Sequence, residues 1–210
     1  SLEGSLYISG NDITNLNGLS QLTSVQSLSI SSAPLLTDFS GLNQLHTISG
    51  SFDVSGEMAS NLTMNFSSLQ TIGGNFTINN ITALSTFSGF TYLQTIGGNF
   101  QITNNTNLLS FTGFGSLQTI TGFYDVYNNT SMTALPTTTA LSAIGGYFRI
   151  TNNLNSTMAG LNALTSVGDH FNLYDNPALT NISALSNLSS INGQLYVASN
   201  PMLVSLSGLD

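Results

Sequence analysis

The chain has 210 residues, no cysteine, a single cation (Arg149) and nine acids, for a net charge of −8. It can form neither a disulfide framework nor a thiolate zinc site, and one arginine cannot displace the counterions that nucleic-acid binding requires. Charged residues make up 5% of the chain, against about 25% in an ordinary soluble domain, so Ser, Thr and Asn must provide a neutral surface of hydroxyls and amides.

Hydrophobic periodicity places one short strand in every 22–24 residues. In chain order the strands open at Leu6, Leu28, Phe52, Phe76, Phe100, Tyr124, Phe148, Phe171 and Leu195. Taking each of these as position 0 of a coil, a second apolar column follows at position 2, from Ile8 through Ile78 and Ile102 to Val197. A Leu column stands near position 17 (Leu69, Leu93, Leu117) and an Ile/Val column near position 20 (Ile72, Ile96, Ile120). The eight-residue run LQTIGGNF at 69–76 recurs unchanged at 93–100, and a variant, LQTITGFY, follows at 117–124. One such unit cannot bury its apolar side alone, but stacked units can. No segment carries a ten-residue helical stripe, so the pattern predicts an all-β solenoid of about nine coils, with positions 0 and 2 facing the core. Gly74, Gly98, Gly122, Gly146 and Gly193 mark a corner that admits only a small residue. The pairs Asn104–Asn105, Asn128–Asn129 and Asn152–Asn153, continued by Asp175–Asn176 and Ser199–Asn200, mark another. Asn accepts left-handed turns and its amide can satisfy backbone groups there. Pro177 and Pro201 stiffen that corner in two late coils.

The late units LTSVGDHFNLYDNPALTNISAL (164–185) and LSSINGQLYVASNPMLVSLSGL (188–209) resemble repeats of the receptor L-domain family, which is related to leucine-rich repeats. The resemblance covers nearly the whole chain. It implies a right-handed parallel β-helix, a secreted or cell-surface setting and a recognition role, and it transfers no catalytic residue. The chain departs from the family in lacking cysteine caps and in its scarcity of charge. It also departs at Ser60–Phe66, where SNLTMNF replaces the usual L-x-x-F-x-G-F. The expectation is one domain over residues 1–210. No apolar run reaches the roughly 18 residues of a membrane helix and no signal peptide is visible. Because SLEG at the start already fits the repeat, the chain reads as cut from a longer precursor.

Chemistry-bearing residues are few. His46 and His170 occupy different columns, and a strand separates Asp169 and His170 from Asp175. Asp125 and Arg149, one coil apart at the same position, read as a surface ion pair of little energetic value. Neither a catalytic constellation nor a metal or cofactor site is expected.

Every outward position of a solenoid becomes a column down the molecule. On the sheet of the long strands, coils six to nine gather six aromatic or imidazole rings: Phe123, Tyr127, Tyr147, His170, Tyr174 and Tyr196, with Arg149 among them. A contiguous patch of this kind marks a binding surface for a glycan or a protein. A second column, Thr47, Thr71, Thr95 and Thr119, resembles the Thr ranks of ice-binding solenoids. Ten N-x-S/T sequons, among them those at Asn61, Asn75, Asn104 and Asn187, are close to what chance gives at this composition. The leading expectation is therefore a non-enzymatic, extracellular recognition or adhesion solenoid. Ice binding through the Thr column is the second reading, and end-to-end self-association through open coil ends is the third.

Overall fold

Alternation sets the strands. Positions 0 and 2 of each coil are apolar and their neighbours polar, so an extended segment there buries one face and exposes the other. The computed structural model, which describes residues 1–209, is an all-β solenoid of parallel stacked coils with no α-helix among those residues. Nine strands of four to seven residues, from Leu6–Ser9 to Leu195–Ala198, form one parallel sheet in chain order. The expected position-0 residues pair with one another throughout, Leu6 with Leu28, Leu28 with Phe52, and so on to Phe171 with Leu195. A second parallel sheet of eight two-residue strands runs from Ser24–Val25 to Ser190–Ile191. The chain thus makes about eight turns and adds a ninth long strand.

The third side of the coil is mostly turns. It holds one short strand pair, Thr86–Phe87 with Ser110–Phe111, and three 3-10 turns at Asn17–Leu19, Ser40–Leu42 and Ser183–Leu185. At the irregular Ser60–Phe66 segment, Leu62, Met64 and Phe66 are buried in place of the usual apolar positions.

One continuous apolar core runs the length of the solenoid. Within it Phe52, Phe76, Phe100, Tyr124, Phe148 and Phe171 stack ring on ring, with centroids 4.6–5.2 Å apart. A second file, Phe66, Phe90 and Phe114, meets the first edge-to-face. Aromatic pairs of these geometries contribute about 0.5–1.5 kcal/mol each beyond burial. Because identical rings lie at coil spacing, the repeat is itself the packing solution.

Both polar corners have physical causes. A Cβ on Gly98 would lie 2.7 Å from the Gly74 carbonyl carbon of the preceding coil, so close stacking of coils excludes a side chain there. At the Asn corner the two residues divide the work. The first, as in Asn104, Asn128 and Asn152, takes a left-handed conformation (φ 60°, 57° and 56°). The second is buried and joins a ladder. Asn129 donates from Nδ2 to the Ile102 carbonyl (2.8 Å), and its Oδ1 accepts from the Asn105 backbone N–H (3.1 Å). Asn105, Asn153, Asn176 and Asn200 repeat both contacts, so the backbone N–H groups of Ile81, Asn105, Asn129, Asn153 and Asn176 are each paired.

Candidate functional site

A further ladder, at position −1, identifies where the repeat changes character. From the second coil to the fifth the side chain just before each long strand accepts the backbone N–H of the same position one coil later. Ser27 Oγ accepts from Ser51 (3.0 Å), Ser51 Oγ from Asn75 (3.0 Å), Asn75 Oδ1 from Asn99 (2.9 Å) and Asn99 Oδ1 from Phe123 (3.1 Å). Phe123 and Tyr147 then occupy the position with rings that cannot serve as that acceptor, and the backbone N–H groups of Tyr147 and His170 have no acceptor among the described residues. The ladder resumes at His170, whose Nδ1 accepts from the Gln194 N–H at 2.8 Å. That bond makes Nδ1 the unprotonated nitrogen and leaves Nε2 to carry the proton, 3.6 Å from the exposed Asp169 carboxylate. The sequence reading missed this column. Its signal was a small acceptor kept at one position: Ser27, Ser51, Asn75, Asn99.

The rings that displace the ladder are ordered. Phe123 and Tyr147 stack with centroids 4.4 Å apart and planes 9° from parallel. Register sets the rest as a grid. At position 1, Asp125, Arg149, Asn172 and Tyr196 are successive partners, and at position 3, Tyr127, Thr151, Tyr174 and Ala198. Tyr174 and Tyr196 meet edge-to-face at 5.6 Å. Thr151, between Tyr127 and Tyr174 in its column, is buried, and its hydroxyl has no hydrogen-bond partner. Five of the seven residues expected for recognition, Tyr147, Arg149, His170, Tyr174 and Tyr196, join Asn172 around a shallow groove of about 530 Å³. Phe123 and Tyr127 do not line it. They support it, Phe123 by stacking on Tyr147 and Tyr127 by lying 4.8 Å under the Arg149 guanidinium.

The Asp125–Arg149 pair is not the weak surface contact expected from sequence. Asp125's side chain is only 2% exposed, and Arg149 grips it with both Nε (2.8 Å) and Nη2 (2.5 Å) while packing on the Tyr127 and Tyr147 rings. A bidentate pair over aromatic rings is a fixed element, with the Asp125 carboxylate buried and the Arg149 side chain 30% exposed. Burial raises the Tyr147 phenol above its ordinary pKa, and the nearby Asp125 charge adds to the effect. Tyr147 therefore remains a neutral donor at physiological pH.

The Thr column lies on the other sheet. Ser24, Thr47, Thr71, Thr95, Thr119, Ala143, Ser166 and Ser190 pair in unbroken register. Thr47, Thr95 and Thr119 are exposed and Thr71 is half-exposed. Since each strand is two residues long, the column has exposed Gln70, Gln94 and Gln118 on one side and Gly73 and Gly97 on the other. No parallel second Thr column adjoins it. Among the sequons, Asn129 and Asn155 are buried, and Asn75, Asn104 and Asn128 accept hydrogen bonds between coils. Asn61 is exposed and borders a separate, hydroxyl-lined hollow with Ser60, Thr63, Ser85 and Thr86, at the irregular coil on the third side. Among the described residues no three His, Asp or Glu side chains cluster, and no helix is long and apolar enough to cross a membrane.

Comparison with protein-family models, with curated proteins and with solved structures finds no match to this chain.

Proposed function

We infer that the chain is a non-enzymatic recognition module that holds a glycan against the aromatic face of coils six to nine, in an extracellular or cell-surface setting. The observation that carries this reading is the broken ladder. At Phe123 and Tyr147 the repeat gives up an inter-coil hydrogen bond used in the coils before them and leaves two backbone N–H groups unpaired, in order to present a stacked ring pair. Proteins abandon their own local rules mainly where function demands it. The resemblance to receptor L domains points the same way, to recognition on a solenoid face. The groove's rings are rigid, two-torsion side chains that offer contact area and a polar tip at low entropic cost.

The test is binding to an array of immobilised glycans. Signal on the native protein that falls at least tenfold in a Tyr147→Ala, Tyr174→Ala variant supports the face. Binding that survives those changes refutes it.

The second reading, ice binding, draws on the in-register exposed Thr47, Thr95 and Thr119. It is weaker because the rank stands alone, between Gln and Gly columns. Thermal hysteresis in the native protein, abolished by Thr71→Tyr and Thr95→Tyr, would favour it over the aromatic face. Its absence would eliminate it.

A further inference from the structure

Resting on the aromatic-face reading, we propose that the ligand is an uncharged saccharide chain lying along the solenoid axis, its rings against Tyr147, Tyr174 and Tyr196. Charge decides first. The face holds the chain's single cation, and that cation is already matched: Arg149 gives two of its donors to the buried Asp125 carboxylate. The pair is neutral as a unit, and the protein as a whole carries −8. A sulfated, phosphorylated or uronate polymer would approach an acidic body and find no free cation to meet it.

The groove's other polar groups are of the kind that sugar hydroxyls satisfy. The phenols of Tyr147, Tyr174 and Tyr196 and the Asn172 amide each both donate and accept, and a sugar hydroxyl does the same. Burial keeps Tyr147 protonated.

Size decides next. The face spans four strands of four residues. At about 4.8 Å between strands and about 3.3 Å per residue it covers roughly 19 by 13 Å, or about 250 Å². A specific protein partner ordinarily buries about 800 Å² on each side, so the patch is several times too small for one. It suits a narrow chain. Tyr147 and Tyr196 stand two coils apart, about 10 Å, which is longer than one sugar ring. The groove is open rather than closed, so it takes the interior of a chain and not only its end.

The experiment is affinity electrophoresis of the native protein through gels containing soluble neutral glucan, mannan or xylan, with polygalacturonate and dextran sulfate as anionic probes. Tyr196→Ala is the first variant, because half of Tyr196 is already exposed and its loss does not threaten the fold. Tyr174→Ala, Tyr196→Ala is the second, with circular dichroism to verify folding. Retardation by a neutral polymer is expected, at least tenfold weaker in the variants and little changed between 50 mM and 500 mM salt. Retardation only by the anionic polymers, lost in the variants, overturns the uncharged class while leaving the aromatic face intact. Retardation by a neutral polymer that the variants leave unchanged overturns the face itself. No retardation by any neutral polymer overturns the proposal.

Discussion

Replacing Tyr124 by Phe should stabilise this protein. Tyr124 is fully buried, stacked between Phe100 (4.9 Å) and Phe148 (5.2 Å), and its hydroxyl has no hydrogen-bond partner. The four other rings in that core file nearest to it are all Phe. A buried hydroxyl without a partner costs about 1–3 kcal/mol. Removing one oxygen leaves the ring stack unchanged, so most of that should return as stability. For a chain of this length it corresponds to a rise in Tm of about 2–12 °C. A second signature follows from the phenol's pKa, which burial raises far above its ordinary value of about 10. Above about pH 10 the unfolded chain releases this proton and the folded chain keeps it. The folded state then binds more protons, so the native protein loses stability as pH rises, by up to about 1.4 kcal/mol per pH unit. The Phe variant lacks that loss, and its advantage should be about 1.4 kcal/mol larger at pH 11 than at pH 8. Urea denaturation followed by circular dichroism at the two pH values measures both effects, and the other tyrosines cancel in the comparison. If Tyr124→Phe is no more stable at pH 8, or if the difference does not grow with pH, the hydroxyl is hydrogen-bonded and the reasoning fails.

Three further outcomes follow from the polar contacts between coils. Asn129→Ala leaves the buried Asn105 N–H unpaired and removes the side-chain bond to the Ile102 carbonyl, and should cost about 1–3 kcal/mol in chemical denaturation. His170→Asn supplies the acceptor that Asn75 and Asn99 provide in their coils and should match the native protein in a thermal melt; His170→Ala should lose about 0.5–1 kcal/mol, a small amount because Gln194 is exposed. Arg149→Ala strands the Asp125 carboxylate in its buried site and should destabilise by about 3 kcal/mol. Adding Asp125→Asn to that variant should recover much of the loss, as a double-mutant cycle would show.

Nearly all of the fold was legible in the sequence because one pattern is written many times. Leu6, Phe52, Phe100 and Phe171 share a column in the chain as they do in space, since a solenoid converts sequence period directly into contact. Five groove residues were legible for the same reason: outward positions that break the column's polar character are visible without coordinates. Depth was not legible. Asp125 sits at an outward position, and alternation alone exposes it. Arg149, held on the Tyr127 ring, closes over it. Nor does the Asn104–Asn105 spacing reveal which Asn makes the turn and which is buried, since both types of contact use the same amide.

The two polar ladders explain how the aromatic face can exist at all. Coils are held together on the interior side by Asn105, Asn129, Asn153, Asn176 and Asn200, and that column is continuous through coils five to nine. On the exterior side the Ser/Asn acceptors are interrupted at Phe123 and Tyr147. At Phe123 and Tyr147 the exterior column lapses where the interior one is complete, since Asn105 begins the buried ladder one coil before Phe123. In the coil before that point the interior position holds Ile81, which has no side-chain amide to contribute, and there and in the two coils before it the exterior acceptors Ser27, Ser51 and Asn75 are in place. The exchange is testable as coupling. Tyr147→Asn, which restores an acceptor for the His170 N–H, should raise stability more in an Asn129→Ala background than in the native one, with the excess read from a double-mutant cycle. Equal increments in both backgrounds would show that the two ladders are independent, and that the aromatic face owes nothing to the asparagines behind it.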